Sequence, residues 1–131
     1  MSAGSMIEGD RSPATIISGA AEAIRLAEDY LNRAVDASHG YDPQVVRQIR
    51  IDLASLDVFQ AHLTEVGTMR DEVLFLEAAG KLKLQIPGLQ AVSDDVKRIA
   101  SDTATPPGVG GYMEQTVTFI AQAVTLIGEL A

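Results

Sequence analysis

At 131 residues with no cysteine and a formal net charge of −8, the chain is the size of one domain, and disulfides, thiolate metal centres and cysteine nucleophiles are excluded together. A hydrophobic fraction of 47% supplies a full core, and 5% aromatics with no Trp make that core aliphatic. The longest basic cluster is Lys97-Arg98, so neither nucleic-acid binding through phosphates nor attraction to an anionic membrane is expected.

The acidic excess is spread along the chain rather than gathered in a tail. Residues 1–40 carry six acids and three bases, and residues 41–67 carry four and two, but residues 68–88 are balanced at three and three. Residues 1–11 contain Gly and Ser, are short of large apolar groups, and are expected to form a flexible N-terminal segment. They lack the basic region and apolar run of a secretory signal, and Gly4-Ser5-Met6 leaves open a native start at Met6. A soluble, cytoplasmic protein with a single helical-bundle domain over residues 12–131 is expected.

The first helix opens with Ser12 as N-cap and Pro13 at the first helical position, where its missing N–H is not needed. Ile17, Ala20, Ile24, Ala27, Leu31 and Ala34 form its apolar seam, with alternate Ala positions that let a neighbour approach closely. Glu22, Arg25, Asp29 and Arg33 lie at pairing distance on the wet face, and His39-Gly40 ends the helix. The second helix repeats the opening with Asp42-Pro43, and Tyr41 can staple onto Val46. Ile49, Leu56 and Leu63 are its seam, Val45, Val46, Leu53, Phe59 and Val66 lie beside it, and Gly67 is its stop. Ile51 and Val58 fall off the seam and suggest that a second side is covered.

Thr68 with Asp71 resembles a capping box for a third helix, with Met69, Val73, Leu76 and Ala79 on one face. Lys81 to Ile86 alternates like a strand, but a lone strand would find no backbone partner, so the helix is extended to about Gln85. Pro87-Gly88 reads as a firm break before a short fourth helix with the seam Leu89, Val92, Val96 and Ile99. Residues 103–111 read as a loop. In the last helix, Tyr112 to Ala131, the seam is Met113, Val117, Ile120, Val124, Ile127 and Ala131, flanked by Phe119, Leu126 and Leu130. Its only charges are Glu114 and Glu129. So few charges predict a central helix, and the fold class is all-α: a compact antiparallel bundle of four or five helices, with the C-terminal helix central.

Candidate chemistry is sparse. His62 and Glu65 share a helix face, but a di-iron bundle needs Glu-x-x-His twice with two further Glu residues. Here the order is reversed and occurs once, so neither a metal nor a cofactor is expected. His62 also invites comparison with histidine phosphotransfer domains, which are four-helix bundles of this size. That family places a Lys three residues after its His and a Gly directly after the Lys. Here Glu65 takes the Lys position, Val66 follows, and Gly67 comes one residue late. A carboxylate there would repel a phosphohistidine. Gly108 to Gly111 lacks the Lys-Ser/Thr of a phosphate loop, and no serine elbow is present. The acid pairs Asp71-Glu72 and Asp94-Asp95 are assigned to first turns, where they favour the helix dipole. Asp52 and Asp57 interrupt an apolar helix and become a candidate site only if buried together.

The most informative polar feature is a stripe of Gln115, Thr118, Gln122, Thr125 and Glu129 on the last helix, bordered by Phe119 and Leu126. Amides and hydroxyls tolerate partial burial better than charges, so this face reads as a protein interface. Exposed surface and a ligand-pocket lining are the rival readings. The chain stops at Ala131 without a polar tail, which suggests a covered terminus or a longer parent protein. A non-enzymatic helical interaction module is expected, an assembly subunit, adaptor or secretion-type chaperone, self-associating through its C-terminal helix. The alternatives are an acidic decoy for a basic protein surface, a phosphotransfer-like module using His62, and a small-molecule-binding bundle.

Overall fold

The structure, a computed structural model, describes residues 12–37, 43–102 and 107–130. The expectations for residues 1–11, His39-Gly40, Tyr41-Asp42 and Ala131 lie outside the described residues. Five helices follow one another: α1 (Pro13–Ala37), α2 (Pro43–Gly67), α3 (Glu72–Leu84), α4 (Ile86–Ser101) and α5 (Pro107–Gly128). Only Gln85 separates α3 from α4, so the pair acts as one long bent helix, and the architecture is a four-helix bundle with its third member kinked.

The start of α1 is the one its sequence predicts. The Thr15 N–H donates to Ser12 Oγ at 3.2 Å, and the Ile16 N–H to the Ser12 carbonyl at 3.0 Å. All six predicted seam residues of α1 are buried, joined by Ile16 and Ala23. Two of the three expected ion pairs form on the wet face, with Arg25 bridging Glu22 (2.6 Å) and Asp29 (3.1 Å), while Arg33 lies over the Tyr30 ring. Helix α2 buries Ile49, Leu56, Phe59, Leu63 and Val66, while Ile51 and Val58 stay 49% and 58% exposed, so its second side is not covered within the described chain.

Cross-helix contacts fix the directions. Gln60 Nε2 of α2 donates to the Ala21 carbonyl of α1 at 3.1 Å. The Thr116 hydroxyl of α5 lies 3.4 Å from the Ala27 carbonyl of α1. An added Cβ on Gly110 of α5 would sit 3.7 Å from the Ala100 carbonyl of α4. With Leu126 of α5 over Gly19 and Phe119 over Tyr30 as well, α1 and α5 run antiparallel, and the short connections turn each successive pair of bundle members antiparallel. The most extensive contact joins α1 to α5, followed by α5 with α4 and α1 with α2. The C-terminal helix thus organises the core, with Val109, Met113, Thr116, Ile120, Ala123, Ile127 and Leu130 buried against its two neighbours. Val117 and Val124, two of its predicted seam residues, are only half-buried. The true seam drifts onto Thr116 and Ala123, whose small side chains let α1 come close.

Three boundaries differ from the sequence expectation. Asp71 is itself the N-cap of α3, accepting from the Leu74 N–H at 3.0 Å, while the Thr68 hydroxyl closes α2 by donating to the Glu65 carbonyl at 2.8 Å. Pro87-Gly88 lies inside the first turn of α4 rather than breaking the chain into a loop. Proline there needs no N–H partner, and the Gly88 and Leu89 N–H groups return to the Gln85 carbonyl at 3.0 and 3.2 Å. Because α4 starts at Ile86, Asp94 and Asp95 sit mid-helix, not in a first turn. Finally, α5 starts at Pro107, so Gly108 to Gly111 are helical, and Val109 buries a side chain that a loop would have exposed.

Helix α3 is the outlier in packing. It makes few contacts with α2, α4 and α5 and buries only Ala79 and Leu82, with Phe75 and Ala78 half-buried. Met69, Val73 and Leu76 were expected beside Ala79 on its inner face, but Val73 is 68% exposed, Leu76 47%, and Met69 precedes the helix. The reason is that α3 carries apolar residues on two opposite sides, and the side centred on Leu82 is the one that faces the bundle.

Candidate functional site

Four features could carry function: the outer face of α5, His62, the carboxyl groups of α2, and the apolar outer face of α3. On α5 and the turn that follows it, Gln115, Thr118, Gln122, Thr125 and Glu129 are all exposed and form one face. Helical spacing of three and four residues brings them together. The two apolar residues that border them are used by the fold itself. Phe119 stacks on Tyr30 of α1 with ring centroids 5.7 Å apart and planes 14° apart, and Tyr30 also meets Tyr112 at 6.3 Å and Arg33 at 5.0 Å. Leu126 lies over Gly19, where an added Cβ would meet its Cδ1 at 3.2 Å. The stripe therefore sits on a helix held firmly from behind. Thr118, Gln122, Thr125 and Glu129 of the stripe themselves line an open groove of about 650 Å³, with Val117, Ala121 and Leu126. A second groove of about 430 Å³ lies towards α4, lined by Ser93, Asp94, Lys97 and Val124.

His62 is half-buried and faces the α3–α4 junction, where its Nδ1 lies 3.0 Å from Gln85 Oε1. Glu65 is exposed. The histidine thus joins α2 to the bend after α3. Among the described residues, no group of three or more His, Asp or Glu side chains is placed to hold a metal ion.

Asp52 and Asp57 point to different sides of α2, and each finds a carboxyl partner on another helix. Asp52 is 4% exposed and hydrogen-bonds to Asp95 of α4. Burial, then the bond to Asp95 and the repulsion between the two groups, push its carboxyl up to about 8, against a smaller opposing pull from Gln48 and Arg98. For Asp95 burial acts upward, but its bonds to Asp52, Arg98 and Gln48 outweigh it and hold the group low. Oδ2 of Asp52 and Oδ2 of Asp95 are both buried without a donor. A proton on Asp52 supplies the donor that two bare carboxylates lack. On the other side of α2, Glu28 of α1 is pushed up to about 8 by burial, by a hydrogen bond to Asp57, and by the charges of Asp57 and Asp29. These are proton-sharing contacts at helix interfaces, and no groove described above opens onto either pair.

The outer faces of α2 and α3 hold every large apolar side chain found exposed among the described residues: Ile51, Val58, Val73, Leu74, Leu76 and Leu84. Leu84, at 80% exposure, shares a groove of about 350 Å³ with Val58, Phe59, Gly88 and Val92. Sequence reasoning assigned Val73 and Leu76 to the core. The run Val73-Leu74-Phe75-Leu76, apolar on all sides of one turn, was the available signal that a single helix face could not bury them all.

No protein-family model, curated protein or solved structure matches the chain. Among the described residues, no helix is long and apolar enough to cross a membrane.

Proposed function

We propose that this chain is a non-enzymatic helical interaction module, an assembly subunit or adaptor that acts by docking its helix faces against other protein surfaces. The observation that carries this reading is the set of six large apolar side chains left in solvent on α2 and α3, two of which, Val58 and Leu84, line one groove. Exposed apolar side chains grouped on a small domain mark an interaction site more often than ones scattered singly. The mostly uncharged stripe and open grooves of α5 support a second docking face.

Self-association belongs to the same proposal. Two faces are available for it: the stripe of α5, with Gln115, Thr118, Gln122, Thr125 and Glu129 framed by Phe119 and Leu126, and the outer face of α3. Light scattering behind size exclusion, over a range of protein concentrations, tests it. A mass above the monomer is expected. Gln122→Lys inserts a charge into the α5 face, and Leu84→Glu inserts one into the α3 face. The substitution that returns the mass to that of a monomer identifies the face in use. A monomer at every concentration counts against self-association and turns the search to a different protein.

A further inference from the structure

Helix α3 is two-sided. At about 100° per residue, Phe75, Ala78, Ala79 and Leu82 point to the bundle, while Val73, Leu76, Gly80 and Leu84 line the opposite side at spacings of three, four and four. Three of these four are large and apolar, at 68%, 47% and 80% exposure. The fourth is a glycine in mid-helix, which costs stability relative to alanine. Nothing among the described residues requires it, since a Cβ on Gly80 would meet no atom of theirs within 4 Å. A glycine flanked by exposed apolar residues lets another backbone or side chain approach closely.

The charges beside the stripe say what approaches. Asp71, Glu72 and Glu77 lie in its first half, and Lys81 and Lys83 in its last turn. Lys83 is drawn to α5, where its Nζ donates to the Leu130 carbonyl at 2.7 Å, so Glu77 and Lys81 are the charges along one edge of the outer face. The pattern is self-complementary when one copy of the helix is turned end over end. Residues 68–88 are also charge-balanced, three acids against three bases, in a chain of net charge −8, so two copies meet here with the least mutual repulsion.

We propose that two copies of this chain pair antiparallel through the outer face of α3, with Leu76 of each copy seated against Gly80 of the other. The inference rests on the interaction-module reading and names the partner as a second copy. The two-fold axis passes near residue 78. Val73 of one copy then lies against Leu84 of the other, beside the groove that Val58 and Gly88 line. Glu77 of each copy meets Lys81 of the other. A parallel, in-register pairing would bring acidic ends together and basic ends together. The contact is isologous, the same patch used on both copies, which is the commonest form of symmetric dimer.

The test uses two single charge reversals on the full chain, Glu77→Lys and Lys81→Glu. Solution mass is followed against concentration, and helicity is checked by circular dichroism. Each variant alone places like charges at both symmetric contacts and is expected to weaken the dimer by roughly tenfold. Mixing the two variants restores opposite charges at both contacts, so the mixture is expected to regain dimer that neither variant forms alone. Repair of a pair within one helix cannot produce that recovery, because the reversals stay on separate chains. A wild-type chain that is monomeric at all concentrations overturns the proposal. So does a dimer indifferent to both reversals, or a mixture with no recovery. If such an indifferent dimer is dissociated by Gln122→Lys, the α3 pairing fails while the interaction-module reading stands.

Discussion

Asp52 is a residue whose sequence neighbourhood suggested water and whose position in the bundle removes it. Only the packing of α4 across α2 decides this, since it brings Asp95 to Asp52. The consequence is a pH dependence with a definite sign. The Asp52 carboxyl rises from an ordinary 3.8 to about 8, so the folded chain holds its proton more tightly than the unfolded chain does. That contribution to stability is fully present below the ordinary value and is lost as pH rises through about 8. Glu28, raised to about 8 against Asp57, acts in the same direction at the α1–α2 contact. The urea midpoint is therefore expected to be lower at about pH 8.5 than at about pH 5. Asp52→Asn supplies a permanent donor to Asp95 and should reduce the difference. A wild-type midpoint equal at both pH values would refute the shared proton.

At the scale of the element, the helices were legible wherever one face was apolar and both ends were marked. Helix α1 shows this: Ser12-Pro13 set its start, and a single seam from Ile17 to Ala34 matches the buried face. Helix α3 shows where such reading stops. Periodicity reports which residues could share a buried face, not which of two faces is buried, and α3 offers both. The break expected at Pro87-Gly88 falls at Gln85 for a related reason: a proline reads the same before a helix, in its first turn, or at a kink. The two faces of α3 predict opposite mutational costs. Leu82→Ala, at 1% exposure, is expected to destabilise the monomer by about 2–5 kcal/mol. Leu76→Ala and Val73→Ala are expected to cost less than about 1 kcal/mol at dilutions where the chain is monomeric. Chemical denaturation of the three variants measures both. Equal losses on the two faces would mean that α3 buries its outer side as well.

At the scale of the whole molecule, charge decides which kind of partner the surface favours. Two bodies of charge −8 repel. At a centre separation of roughly 25 Å in water that repulsion is on the order of 10 kcal/mol before screening. The screening length falls from about 30 Å at 0.01 M salt to about 8 Å at 0.15 M, which removes most of this term. The cross-copy Glu77–Lys81 pairs also weaken with salt, but exposed pairs contribute only about 0.2–1 kcal/mol each. The long-range term is the larger, so self-association through the charge-balanced α3 is expected to strengthen as salt rises from about 0.01 M to about 0.15 M. An acidic decoy behaves in the opposite way, because its attraction to a basic partner is what salt screens. Solution mass at the two salt concentrations, at fixed protein concentration, separates these outcomes. A dimer that grows with salt fits contact through a neutral, apolar helix face. A complex that dissolves with salt would mean that the acidic surface itself is the binding surface.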